Sequence, residues 1–189
     1  MLLVTLTVGA MPTEAEGEIY EDTIRLHILA NSDSELDQDL KLAIRDEVLK
    51  KYGQMLSAYN SVSEAKENIS SLLTAIECDV ESWIKDMGYE YGAKATLSEE
   101  WYDRREYDGF TLPAGYYSSL RIIIGEGDGK NWWCVMYPPL CMDIATEQAP
   151  SDDGFIDYTK EELALIKNGE YQIKFKILEE LSRAFAKNS

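Results

Sequence analysis

The sequence predicts an α+β protein: an antiparallel sheet packed against two long N-terminal helices, with further helices at the C-terminus. Three observations point there. A segment of period-two alternation occupies 23–30, two runs with steps of three and four follow over 34–52 and 61–88, and a β-rich stretch fills 94–137. A chain of 189 residues suits one domain. At this mass roughly 70 % of the unfolded surface is buried, so a core is available without metals or staples. Residues 1–17 read as a truncated signal-peptide remnant with a linker, 18–189 as a single α+β domain, and 159–187 as its helical C-terminal part.

The apolar run 2–10 (LLVTLTVGA) is too short to span a bilayer, which takes about 20 helical residues. It fits the apolar part of a secretory signal, with Ala10 as the small residue at a cleavage position, although no Lys or Arg precedes Arg25. Pro12 to Gly17 is acidic, small and aperiodic, and reads as a flexible linker. Ile24, Leu26, Ile28 and Ala30 then alternate with Arg25, His27 and Leu29, giving a strand with one apolar face.

Ser34 with Asp37 resembles a capping box, so a helix is expected to run to about Tyr52, where Gly53 stops it. Leu36, Leu40, Ile44 and Val48 form its buried stripe, while Asp37–Lys41, Asp46–Lys50 and Glu47–Lys51 pair on the solvated side. Ser61 with Glu64 opens a second, longer helix that Gly88 terminates. Its apolar stripe is Val62, Ala65, Ile69, Leu72, Leu73, Ile76, Val80, Trp83, Ile84 and Met87, and Cys78 reads as core. Strands are expected at Lys94–Trp101, Arg105–Phe110, Tyr116–Ile124 and Trp132–Tyr137, with a turn at Leu112–Gly115 and a hairpin loop over 125–131. Thr159 with Glu162 caps a C-terminal helix, and the helical pattern resumes from Tyr171 to Phe185.

Charge excludes whole classes of partner. Asp and Glu number 35 against 18 Lys and Arg, a formal net charge of -17. Nucleic-acid binding needs clustered cations over phosphates, and the same sign disfavours anionic lipid. With 45 % hydrophobic and 28 % charged residues the chain is not disordered as a whole. The glycines at 125–129 are followed by a Trp-rich strand rather than a helix, and Glu126 and Asp128 would repel phosphate, so they form no nucleotide fingerprint. His27 is the sole histidine and cannot build a polyhistidine zinc site. As a base it would need Ser32, Cys134 or Cys141 nearby, with Asp33 orienting it. Glu99-Glu100 and Asp152-Asp153 read as solvated charge, since strand neighbours face opposite ways. Asp152–Asp157 lacks the alternating ligands of a calcium loop. No metal or cofactor site is expected.

Three cysteines leave at least one thiol unpaired within a monomer. Cys134 and Cys141 flank Pro138-Pro139, close enough for a bridge that would contribute roughly 2.5 kcal/mol over a loop of about eight residues. The alternative is two buried free thiols. The stretch 131–141 is the most unusual in the chain. Alternation buries one of Trp132 and Trp133 and presents the other, and exposed aromatics anchor interfaces.

The combination RLHILANSD (25–33), LPAG (112–115), LRIIIGEGDGKN (120–131) and NWWCVMYPPLC (131–141) resembles the stage II sporulation protein R family of endospore-forming bacteria, over about residues 20–145. The resemblance implies an exported signalling protein, made in the forespore and delivered to the space between forespore and mother-cell membranes. There it would trigger a membrane-embedded aspartic protease that processes a mother-cell sigma factor precursor. No catalytic residues come with the family, so a non-enzymatic protein ligand is expected, with no membrane insertion of its own after leader removal. The expected partner-contact residues are Arg25, His27, Asn31, Asp33, Trp132, Trp133, Tyr137, Pro138 and Pro139. Two rival readings stand beside this: an extracytoplasmic hydrolase of cell-wall peptide or glycan using His27 and a nearby nucleophile, and a structural scaffold of the septum.

Overall fold

The computed structural model describes residues 14–107, 109–140 and 158–169. The leader reading, Cys141, Asp152–Asp157 and the helical pattern of Tyr171–Phe185 lie outside them. The order is α1 (Glu14–Glu21), β1 (Ile24–Leu29), α2 (Glu35–Val48), α3 (Val62–Asp86), β2 (Ala93–Tyr102), β3 (Arg105–Tyr107), β4 (Phe110–Leu112), β5 (Gly115–Ile124), β6 (Asn131–Tyr137) and α4 (Lys160–Asn168). This is an α+β architecture. The residues from Glu14 are helical where a linker was expected; the helix anchors itself through Ile19, which is fully buried.

The main sheet has the order β2-β5-β1-β6 and is mixed rather than antiparallel. β1 pairs parallel with β5 and antiparallel with β6, and β2 pairs antiparallel with β5. The first strand of the sheet therefore occupies an interior place between two late ones, which local patterning does not specify. As a result the glycine loop 125–131 is not a hairpin. It crosses over the end of β1, joining strands that are not neighbours.

One face of the sheet carries Ile24, Leu26 and Ile28 beside Leu120, Ile122 and Ile124, all buried. The stripes of α2 (Leu40, Ile44, Val48) and α3 (Ala65, Ile69, Ile76, Val80, Ile84) share that core. Ser34 and Ser61 cap these helices, accepting from the backbone N–H of Asp37 and Glu64. α2 does not stop at Gly53. It passes through a π turn, Leu49–Gly53, and a last α turn, Gln54–Leu56, because Tyr52 and Leu56 are buried and the Tyr52 hydroxyl donates to Asp79 of α3. Two stripe positions fall off the end of the core: Leu36 is 67 % exposed and Met87 40 %. Cys78 is an exposed free thiol rather than a core residue.

The charge pairs expected on α2 are also replaced. Asp37 and Lys41 are both buried. Asp37 accepts from Asn31 and Ser32, and Lys41 donates to Gln38 and to the Lys130 carbonyl. Lys51 pairs with Asp79 across to α3, and Asp46 with Arg45.

Among the described residues the helices and hairpin on the opposite face of the sheet gather at one end. There, α1, α4 and the small hairpin β3–β4 lie over the start of β1 and β5, through the edge-to-face pair Tyr20–Tyr117 (5.1 Å) and the hydrogen bond between Thr23 Oγ1 and Tyr158 Oη (2.7 Å). The expected single strand 105–110 is this hairpin, which turns at Gly109, a residue with φ +81°. Thr159 and Glu162 form a reciprocal capping box at the start of α4.

Candidate functional site

The partly covered face gathers the polar residues of an otherwise apolar sheet. Strand alternation and register place Arg25 and His27 of β1 opposite Ser119 and Arg121 of β5, and His27 opposite Trp133 of β6. Glu100 and Tyr102 of β2 share that face, because β2 pairs Glu100 with Tyr117. His27 lies on the face of β1 away from Ile24, Leu26 and Ile28, as the alternation expects, and both faces of the strand are buried along its length.

His27 is held on both ring nitrogens. Nδ1 lies 3.0 Å from Glu100 Oε2, and Nε2 lies 2.9 Å from Asn131 Oδ1. Its ring stacks on Trp133 at 5.5 Å, and the Arg105 guanidinium lies 4.0 Å over the same indole. Glu100 also accepts from Tyr102 Oη at 3.3 Å and sits 3.6 Å from Arg121 Nε. Burial pushes the Glu100 carboxyl upward. Hydrogen bonds from His27 and Ser119, with the charges of His27 and Arg121, outweigh it and hold the group below its ordinary value. Glu99 points away and is exposed. Tyr102 Oη and Ser119 Oγ lie 2.7 Å apart in the interior, and burial pushes the Tyr102 phenol up.

Arg25 is fully buried. Its guanidinium lies 4.1 Å from the Tyr102 ring, 5.1 Å from Tyr117 and 5.7 Å from Tyr107, and donates to the Tyr107 hydroxyl. Its Nε and Nη1 have no hydrogen-bond partner among the described residues.

The expected contact residues divide. Arg25, His27 and Trp133 converge. Trp132 faces the helices, with the Arg45 guanidinium 5.2 Å from its ring. Asn31 and Asp33 hold the glycine loop: Asn31 Oδ1 accepts from the Glu126 N–H, and Asp33 Oδ1 from the Lys130 N–H. Tyr137 and Pro138 are buried around a cis peptide bond, and Pro139 is half-buried. Cys134 is disulfide-bonded; Cys141 lies outside the described residues.

Of the nucleophiles considered for His27, Ser32 and Cys134 do not reach it, and Cys141 lies outside the described residues. Ser32 Oγ donates to Asp37, and Cys134 pairs in register with Leu26, on the opposite face. Glu100, Tyr102, Arg105, Tyr107, Ser119, Arg121 and Asn131 were missed as site residues. The available signal was polarity inside strands: Ser119 and Arg121 interrupt the apolar run of β5. Among the described residues no group of three or more His, Cys, Asp or Glu could hold a metal ion. No helix among them is long and apolar enough to cross a membrane.

Fold and site thus define a single α+β protein with a mixed four-stranded sheet, whose sequestered polar cluster ends in a half-exposed Trp–Arg stack. Residues 20–147 match the model of the family Stage II sporulation protein R, and the chain belongs to that family. It is 37 % identical over 132 residues to Stage II sporulation protein R of Bacillus subtilis (strain 168), a match spanning 69 % of this chain and 59 % of that relative's length. No solved structure matches.

Proposed function

We propose that this protein is a secreted sporulation signal. It docks onto a membrane-embedded aspartic protease in the space between forespore and mother-cell membranes. Activation of that protease leads to processing of a mother-cell sigma factor precursor. The family supports the sporulation setting, and one geometric observation supports docking: Trp133, half-buried between His27 and the Arg105 guanidinium, is an aromatic anchor with a cation already stacked on it. Activation requires that the signal bind the active state of the receptor more tightly than the resting one, since equal affinity shifts no equilibrium.

The test mixes purified protein with membranes carrying the receptor and follows precursor cleavage. Trp133→Ala weakens activation about thirty-fold at limiting protein, the loss of a hot spot of about 2 kcal/mol. His27→Ala, Cys134→Ser and Cys141→Ser, where they fold, still activate. Full activity of Trp133→Ala would remove the docking face from the reading. Loss of activation in well-folded His27→Ala would move it to chemistry at the imidazole.

A further inference from the structure

The two large hydrophobic side chains exposed among the described residues, Leu36 and Met87, come from different helices. A single exposed leucine or methionine needs no explanation. Both are tied to the same short stretch of chain, Gly88–Tyr89. Met87 follows α3 and adjoins Gly88 and Tyr89, which line an open groove of about 580 Å³ with Glu81, Glu90, Tyr91 and others. Leu36 is in the first turn of α2, and its carbonyl accepts from the Tyr89 hydroxyl at 3.4 Å. The groove therefore has two tyrosines in its wall, their rings 5.7 Å apart, and an exposed apolar residue next to that wall in each of the two helical segments.

The wall is fixed in advance. The Asp37 carboxylate facing Tyr91 pushes its phenol up, and Asp37 is itself anchored by Asn31 and Ser32. Tyr89 is tied to α2 through Leu36, and the Glu81 carboxylate accepts from the Ala93 N–H at 3.1 Å, holding the start of β2 to α3. Little ordering is left for a ligand to impose. The volume lies within the range of specific pockets and suits one or two side chains. The rim decides the sign of the occupant. Glu81 and Glu90 line the groove, Asp86 adjoins Met87, Glu35 adjoins Leu36, and Lys85 is the cation among the lining residues.

We propose that the groove between the end of α3 and the first turn of α2 is a docking site for a segment of a partner protein that carries a large apolar side chain flanked by lysine or arginine. The apolar side chain fills the groove against Leu36, Met87 and the tyrosine pair, and the flanking cations meet Glu81 and Glu90. It is a second surface, on the helix-covered side of the sheet, and does not rest on the Trp133 reading.

The probe is the peptide acetyl-Lys-Lys-Leu-Phe-Lys-Lys-amide, titrated into the ¹⁵N-labelled full chain at low salt, beside its glutamate counterpart. Amide shifts are expected to cluster at Leu36 and across Met87–Gly92. The glutamate peptide binds at least ten-fold more weakly, and Leu36→Gln with Met87→Gln weakens the lysine peptide at least ten-fold without moving the thermal midpoint, since both side chains are exposed. Glu90→Lys weakens the lysine peptide independently of those two. Trp133→Ala leaves the titration unchanged, so failure of the activation assay with that variant would not touch this result. The proposal is overturned if shifts spread over the acidic surface generally, or if the double glutamine variant binds as well as the parent. It is equally overturned if sedimentation shows self-association that the double variant abolishes, which would assign the groove to a second copy of the chain.

Discussion

A buried guanidinium surrounded by three tyrosine rings exchanges strong hydration for cation–π contacts worth about 2 kcal/mol when desolvated, against a desolvation penalty of several kcal/mol. Arg25 meets that deficit with one hydrogen bond to Tyr107 and no carboxylate among its described contacts. Arg25→Met, which keeps the volume and removes the charge, is expected to raise stability by about 1–4 kcal/mol in denaturant unfolding, whereas Arg25→Ala leaves a cavity and lowers it by about 2–5 kcal/mol. The neighbouring Glu100 sets a pH dependence. Its folded pKa lies below its ordinary value of 4.5, so its contribution is complete above that pH and is lost as pH falls through the folded value. Asp37, lowered chiefly by hydrogen bonds from Ser32 and Asn31, acts with the same sign. Unfolding free energy measured from pH 7 down to pH 3 should decline below about pH 4.5, and decline less steeply in Glu100→Gln with Asp37→Asn. The partnership of His27 with Glu100 was out of reach of sequence reasoning: their proximity depends on β5 lying between β1 and β2, and no local pattern records that register.

Among the elements, helix starts were legible because a cap is a short-range event: Ser34, Ser61 and Thr159 each bond the backbone three residues on. The end of α3 before Gly88 was legible too, but the end of α2 was not, since Tyr52 continues it past Gly53 through a long-range bond to Asp79. The glycine loop shows how tightly one element is held by another. A Cβ at Gly129 would lie 2.2 Å from the Ser32 carbonyl oxygen, a backbone atom that cannot swing aside. Gly129→Ala is therefore expected to cost about 1–3 kcal/mol. Gly17, inside α1, has open space for 4 Å around the place a methyl group would take. It should respond oppositely, Gly17→Ala stabilising by about 0.5–1 kcal/mol. Thermal melts of the two variants check both signs.

For the whole molecule, the α+β class followed from the succession of periodicities, while the mixed sheet did not, because alternation fixes which face a residue takes and leaves strand order open. The cysteines offer a global check on the fold. Cys78 is an exposed free thiol and Cys134 is bridged. Unreduced protein should label at Cys78 alone, in native buffer and again after denaturation. Reduction before denaturation should expose further thiols and lower stability by about 2–4 kcal/mol. Labelling of Cys134 without reductant would contradict the bridge.

Synthesis runs from the N-terminus, so the ribosome releases Ile24, Leu26 and Ile28 well before Ser118 to Ile123, the partners that flank them on one side, and before Asn131 to Tyr137 on the other. The nascent chain must therefore carry its middle strand without neighbours while both long helices emerge. Its final closure waits on contacts between distant parts of the polypeptide, the kind that form slowly. Whatever shelters those three aliphatic side chains in the interval, chaperone or early helix, decides how much of each newly made chain escapes aggregation.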